Sequence, residues 1–185
     1  MKTRTTAGKK KRANGKGAEV RKGASRVRRS AKRGAALDVL KKFRQVFRAA
    51  KLHFGTIEKR VGVSGAQLWA MWELNEHPGL RVTDLADAMA LHQSTVSNLL
   101  DKLMRRRLIR RERGDVDGRV VRLYLSAAGV KLVQGAPVPA RGVLPDALEH
   151  LPPAALRGLG RHLDKLLEGM RVKVPAAAWM HLQDL

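Results

Sequence analysis

The sequence of 185 residues contains no cysteine, and only 4% of its residues are aromatic. The missing cysteines exclude disulfide bonds, thiolate metal ligands and thiol redox chemistry. No apolar run approaches the roughly 18 residues that a membrane-spanning helix needs, and no apolar segment of the signal-peptide type follows the basic N-terminus. We therefore expect the protein to stay in the cytoplasm.

Acidic residues are also scarce. The 16 Asp and Glu residues stand against 38 Lys and Arg, which gives a formal net charge of +22. Such an excess indicates a polyanionic partner, with nucleic acid first and an anionic membrane surface second. An acidic small-molecule substrate would not require so much charge.

The sequence carries no motif of the common enzyme classes. The stretch "GVSGA" at residues 62–66 lacks the nucleophile elbow, no phosphate loop ending in G-K-[ST] is present, and "RGLGRH" falls inside a predicted helix. The histidines are scattered without metal-ligand spacing. They are His53, His77, His92, His150, His162 and His181. We expect neither catalysis, nor a metal, nor a cofactor.

Residues 1–36 hold much of the charge, with 14 basic residues and one acidic residue, Glu19. Larger aliphatic side chains are limited to Val20 and Val27, so the segment cannot bury enough apolar surface to offset the entropy of ordering, and we expect it to be disordered. Three interpretations fit it: a DNA-adhering tail, a solubilising extension, or residues added by the choice of an upstream start codon.

Two helices with apolar residues at alternating steps of three and four flank the centre of the chain. The first begins near Leu37, and Pro152 and Pro153 open the second. Their apolar positions are Leu40, Phe43, Phe47, Ala50, Phe54, Ile57 and Val61 in the first, and Leu156, Leu159, Leu163, Leu166 and Met170 in the second. Such stripes seek a partner helix, either in a second subunit of a homodimer or within one monomer.

The central region predicts a helix-turn-helix. Ser64 and Gln67 form a capping box for a helix that carries Leu68, Met71 and Trp72, and Thr83 is expected to cap a short helix with Leu85 and Met89. The next helix buries Val96, Leu99, Leu100, Leu103 and Met104 and presents small hydroxyl and amide side chains on the opposite face. Such side chains can reach base edges in the major groove, whereas an ordinary solvated face would carry long Lys and Glu residues.

A predicted β-hairpin follows, formed by "LIRRER" and "RVVRLYLS" around "GDVDG". A hairpin in this place is a wing. It is rich in arginine, which favours contact with phosphates or the minor groove. These arginines are Arg110, Arg111, Arg113, Arg119 and Arg122.

The pattern D-x-R-x-x-x-L-x-L-[ST]-x-x-G, formed here by Asp117, Arg119, Leu123, Leu125, Ser126 and Gly129, resembles the multiple-antibiotic-resistance regulator (MarR) family of winged helix-turn-helix transcription factors. The preceding "LADAMALHQSTVSNLLDKLMRRRLIRR" is similar as well. The resemblance implies a homodimer that binds double-stranded DNA, with the recognition helix in the major groove, Arg119 in the minor groove and Asp117 holding Arg119.

The combined expectations give these sites. The DNA-binding residues are Gln93, Ser94, Thr95, Ser97, Asn98, Lys102, Arg105, Arg110, Arg113, Asp117 and Arg119. The dimerisation residues are Leu40, Phe43, Phe47, Leu156, Leu159, Leu163 and Leu166. Many relatives also release DNA on binding a small phenolic or carboxylic effector. Here His53, Phe54, Trp69 and Trp72 are the candidate effector site, although aromatic residues at helical spacing are also typical of a plain core.

The expected fold is mostly α-helical with a small β-wing, over residues 37–170, and its DNA-binding lobe covers about 64–126. Residues 171–185 form a tail without a predicted role. The chain departs from the family in its N-terminal tail, residues 1–36, and its C-terminal "VKVPAAAWMHLQDL", which have no counterpart there, and at two further places. Arg107 stands where a left-handed glycine is usual, and Pro137 and Pro139 interrupt the expected long fifth helix.

Two functions fit this sequence. The first is a sequence-specific transcriptional regulator, acting as a repressor that a small ligand would relieve. The alternative is an architectural nucleoid protein whose basic tail supplies most of the affinity. Discrimination between one genomic fragment and shuffled DNA separates the two.

Overall fold

The structure is a computed structural model that describes residues 10–113, 120–171 and 174–182, with side chains from residue 25 onward. The chain divides into two compact units, Met1–Phe47 and Arg48–Leu185.

The helices and strands follow one another in the order that the sequence predicts for a winged helix-turn-helix. They are α1 (Lys10–Val61), α2 (Gly65–Glu76), α3 (Val82–Met89), α4 (Gln93–Arg105), β1 (Ile109–Arg113), β2 (Val121–Leu125), α5 (Ala127–Gln134), α6 (Val143–Glu149), α7 (Pro153–Gly169) and a 3-10 helix, Pro175–Trp179. The predicted fold class, mostly helical with a small two-stranded sheet, is confirmed.

The first helix differs from the prediction. It begins at Lys10, inside the segment that was expected to be disordered, rather than near Leu37. Every described side chain from Ser25 to Lys42 is exposed, so burial does not explain this part of the helix. Its Ala, Lys and Arg residues are strong helix formers, and the sequence argument considered only burial.

The core of the second unit lies between α2, α3, α4 and the wing. Ile57, Leu68, Leu85, Leu100 and Leu123 are fully buried in it. The helical periodicity of the sequence correctly places most of these side chains. Met104 and Trp72 lie at the edge and are only partly buried.

The ends of α2 and α3 are formed in different ways. Ser64 accepts a hydrogen bond from the backbone N–H of Gln67, whose side chain accepts one from Ser64 N, so the predicted capping box is confirmed. The prediction that Thr83 caps α3 is wrong, because the cap residue is Arg81 and Thr83 lies within the first turn. Asp84 accepts a hydrogen bond from the backbone N–H of Arg81 at 3.0 Å. The helix therefore begins at Val82, two residues earlier than a Thr83 cap would give.

Proline ends the helical region after α5 as predicted. α5 stops at Gln134, Pro137 and Pro139 lie in the connection, and α6 resumes at Val143. None of the helices in the described ranges is both long and apolar enough to cross a membrane.

Candidate nucleic-acid interface

The turn between α3 and α4 is short and tightly bonded. Ala90 adopts a left-handed conformation with φ 51°, and Leu91 N donates to Ala86 O at 3.0 Å. The buried Leu91 side chain fixes the turn to the core. Three residues thus separate the two helices, which is the arrangement of a helix-turn-helix.

The helix α4 has two chemically different faces. Val96, Leu99, Leu100 and Leu103 are buried against the core. The predicted contact residues lie mostly on the other side. Gln93, Ser94, Asn98, Lys102 and Arg105 are exposed, and Thr95 and Ser97 are half-buried. The structure therefore brings the seven α4 residues of the predicted site onto one helix and leaves most of them accessible.

The end of α4 is closed by a left-handed residue. Arg107 has φ 57°, Arg107 N donates to Met104 O at 2.8 Å, and Leu108 N donates to Leu103 O at 3.0 Å. Two of the last carbonyl groups are satisfied in this way. The left-handed position inferred from the family comparison is confirmed, with arginine occupying it.

The wing is an antiparallel pair in which Ile109 faces Leu125 and Arg113 faces Val121. Residues 114–119 lie outside the described residues, and with them Asp117 and Arg119. Arg113 is exposed at the end of β1. The hairpin predicted from the two arginine-rich stretches is therefore present, and its tip is not described.

Several wing arginines contact the protein itself. Arg110 lies 2.7 Å from Glu112 Oε1, donates to Leu125 O at 2.7 Å and sits over the Tyr124 ring. Arg122 donates to Gly79 O at 3.1 Å. The sequence predicts phosphate or minor-groove contacts for these arginines. Their protein partners depend on the register of β1 against β2 and on the packing of the loop after α2, which the sequence does not show.

The start of α3 carries a tight ion pair. Arg81 and Asp84 approach to 2.8 Å, and the hydrogen bonds and charge of Arg81 lower the pKa of Asp84 to about 2. Asp84 is therefore ionised at neutral pH. It contributes negative charge at the positive end of α3, which favours the helix.

Three of the four residues of the candidate effector site, His53, Phe54 and Trp72, lie close to the loop after α5. His53 Nε2 lies 2.9 Å from Pro139 O, Trp69 donates to Glu73 at 2.8 Å, and Arg141 stacks over Trp72 at 4.5 Å. Phe54 is buried, with its ring 5.1 Å from that of His181. Each side chain thus has a protein partner, as in a packed core. Within the described residues, no group of three acidic or histidine side chains could hold a metal ion.

The sequence gives no role to the C-terminal residues, yet the structure places residues 174–182 against α1, α2 and the start of α4. We call residues 174–182 the C-terminal segment. Its His181 is 4% exposed, and Trp179 contacts His92 at the start of α4 with ring centroids 5.4 Å apart. The only sequence signal for this contact is the adjacent pair Trp179 and Met180, which follows a run of small apolar residues.

The part of the chain that contains α2 to β1 is similar to known proteins. Residues 61–120 match the MarR family. The chain is 35% identical over 74 residues to the HTH-type transcriptional repressor MdtR of Bacillus subtilis (strain 168). This match covers 40% of the chain and about half, 47%, of that relative.

The chain is also similar to solved structures. A MarR family protein from Bacillus stearothermophilus is 25% identical, with 75% of this chain and 96% of that chain covered at a TM-score of 0.48. MepR, a transcription regulator of the Staphylococcus aureus multidrug efflux pump MepA, is 25% identical, with 68% and 93% covered at a TM-score of 0.48.

Proposed function

We propose that this chain, whose residues 61–120 match the MarR family, is a sequence-specific DNA-binding transcriptional regulator and not an enzyme. The observation that carries the proposal is the exposed face of α4. Ser94 and Asn98 are accessible there, while the opposite face of the same helix is buried in the core.

The chemistry of this face suits base reading. An asparagine amide can donate to and accept from adenine at once, and a serine hydroxyl can do either with several bases. Short side chains also allow the helix backbone to come close to the base edges. Lys102 and Arg105, one and two turns further along, would contact phosphates and fix the register of α4 on the duplex.

The wing would add contacts beside the major groove. Arg113 is exposed at the end of β1, next to the residues of the tip. We propose that Arg119 enters the minor groove and that Asp117 orients it. Arg110 would support the wing through Glu112 and Leu125, and so would act on DNA binding indirectly.

The active form would be a homodimer. Leu156, Leu159 and Leu166 on α7 are exposed, and Leu163 is half-buried; within the described chain, α7 buries none of its residues. Leu40 and Phe47 of α1 are likewise exposed, and Phe43 stacks on Phe47 with ring centroids 6.4 Å apart. Apolar faces left open in one chain favour burial against a second copy.

Repression is the direction of regulation that we propose, as in the Bacillus subtilis relative, which is named a repressor. A small aromatic or carboxylic effector would relieve it by binding near His53, Phe54, Trp69 and Trp72. Ordered contacts such as Trp69–Glu73 and Arg141–Trp72 would then have to rearrange. The protein would act in the cytoplasm, on the nucleoid.

One observation favours a second function. Residues 1–36 carry 14 of the 38 basic residues of the chain, which suits an architectural protein that binds any DNA through its tail. Such a protein would hardly distinguish sequences, because phosphate contacts carry no base information.

Competition binding separates the two functions. The DNA fragment that the full-length protein selects from sheared genomic DNA is titrated against a shuffled duplex of the same length and composition, at one salt concentration. A regulator should prefer the selected fragment by about a thousandfold or more. A preference below about tenfold would instead support the architectural function.

A further inference from the structure

The C-terminal segment lies against the beginning of the recognition helix α4. The backbone N–H of His92 donates to the carbonyl oxygen of Trp179 at 3.3 Å, and the two rings are 5.4 Å apart. Trp179 also borders an open cleft of about 330 Å³ together with Thr83 and Asp87 of α3 and Gln93 of α4. The indole therefore stands beside the first residue of the predicted DNA-reading face.

The segment is held on the lobe at one end. The buried His181 ring lies 5.1 Å from the Phe54 ring and 6.4 Å from the Trp69 ring, and Leu182 packs against the hydrophobic core. Trp179, by contrast, remains 49% exposed. The anchor at residues 181–182 keeps the indole near α4, whereas the indole contact itself is small enough to open and close.

The composition of the segment opposes a direct role in binding DNA. Residues 174–182 contain neither Lys nor Arg, although the chain has 38 of these residues. An apolar segment cannot neutralise phosphates. In helix-turn-helix proteins, the N-terminal residues of the recognition helix contact the base edges, and the preceding helix crosses the backbone. An uncharged cover over the cleft between α3 and α4 would thus occupy space that DNA needs.

We propose that the C-terminal segment is an autoinhibitory latch, in which Trp179 covers the start of α4 and must move away before DNA binds. This inference rests on the proposed DNA-binding function. A latch reduces the apparent affinity by the fraction of molecules that are open, so a latch closed in about nine molecules of ten weakens binding about tenfold.

Substitution of Trp179 tests the latch. Trp179→Ala in the full chain leaves His181 and Leu182 in place and should raise the affinity for DNA about threefold to tenfold. The selected and the shuffled duplexes should gain equally, because the latch covers the helix regardless of the sequence it reads. Trp179→Phe, which keeps a ring on His92, should gain less. Met180→Ala, an equally apolar truncation at the next residue, is the matched control and should bind like the unmodified protein.

A second measurement follows the segment itself. Because the chain has no cysteine, Ala178→Cys, at an exposed residue on the side of Trp179 away from the anchor at residues 181–182, provides a single site for a nitroxide label. Saturating DNA should increase the mobility of that label, and the Trp179→Ala change in the labelled chain should make it mobile without DNA. An unchanged label on DNA addition, or an unchanged or lower affinity in Trp179→Ala, would overturn the latch.

The two proposals fail in different ways. If the unmodified protein prefers the selected duplex but Trp179→Ala binds it with the same affinity, the latch is wrong and the regulator stands. If neither protein distinguishes selected from shuffled DNA, but Trp179→Ala binds both more tightly, the latch holds and the sequence-reading function is wrong.

Discussion

A β-carbon placed on Gly129 would overlap the carbonyl oxygen of Leu108. That oxygen cannot easily move, because it accepts hydrogen bonds from Ser126 N at 3.0 Å and from Ser126 Oγ at 3.1 Å. The contact joins the first turn of α5 to the segment that leads from α4 into the wing. It explains physically why the sequence pattern ends in glycine.

Gly129→Ala should therefore destabilise the second unit. The new methyl group overpacks against backbone, and we expect a loss of about 2 kcal/mol or more in the free energy of unfolding. Gly135→Ala is the control, since its β-carbon would meet the nearest atom, Lys131 O, at an ordinary 3.6 Å. Urea titration of both variants measures the difference. Equal stability of the two variants would refute the close contact.

Arg107 pays a conformational cost for its left-handed backbone. Arg107→Gly removes that cost and should stabilise the protein by about 0.5 to 1 kcal/mol, even after the greater freedom of glycine in the unfolded chain. Lys102→Gly, at an exposed position inside α4, should instead destabilise it by about 1 kcal/mol. Thermal unfolding monitored by circular dichroism distinguishes the two, and a destabilised Arg107→Gly protein would contradict the prediction.

The apolar face of α7 should be needed for dimerisation. Leu159→Glu combined with Leu163→Glu places charges where a second chain would bury them, so we expect the dimer to weaken by at least about a hundredfold. Because α7 buries none of its residues in the described chain, the single-chain fold should survive. Arg157→Glu with Lys165→Glu, on the opposite side of α7, should remain dimeric. Sedimentation at micromolar concentration checks this, and a monomeric unmodified protein would disprove it.

Residues 1–36 should increase the affinity for DNA of any sequence without contributing to sequence specificity. Each phosphate contact adds about 0.9 to the slope of log affinity against log salt, so deletion of residues 1–36 should flatten that slope. Affinities for selected and shuffled DNA should fall by similar factors, with their ratio nearly unchanged. Titrations at several salt concentrations measure both quantities. An unchanged slope would show that these residues do not bind DNA.

The sequence predicts the local features of this fold well. The 3-4 spacing of Val96, Leu99 and Leu103 determines which face of α4 is buried, and the Ser64 and Gln67 side chains alone suffice to cap α2. Pro137 prevents α5 from continuing, because a proline beyond the first turn of a helix removes a hydrogen bond and clashes with the preceding turn. These effects depend on residues within a few positions of each other, so a sequence reader can see them.

Features that depend on distant residues could not be predicted. The partners of Arg110 become visible only when β1 and β2 are in register, and the position of Trp179 on His92 joins residues far apart in the chain. Even the start of α3 differs from the expectation for Thr83, since the Asp84 side chain bonds the backbone N–H of Arg81 and makes Arg81 the cap residue. Residue types restrict which cap residues and side-chain partners are possible, and three-dimensional packing determines which of them occur.

The most direct test of the account concerns the face of α4. The ratio of affinities for the selected and the shuffled duplex is measured for the unmodified protein, for Ser94→Ala with Asn98→Ala, and for Asn75→Ala as an exposed asparagine outside α4. Loss of base-edge contacts should lower the affinity ratio of the double variant by a factor that corresponds to about 1 to 3 kcal/mol per lost contact. Its binding to shuffled DNA should be nearly unchanged. Asn75→Ala should leave the ratio as it is. A double variant with the full ratio would contradict the claim that α4 reads the sequence.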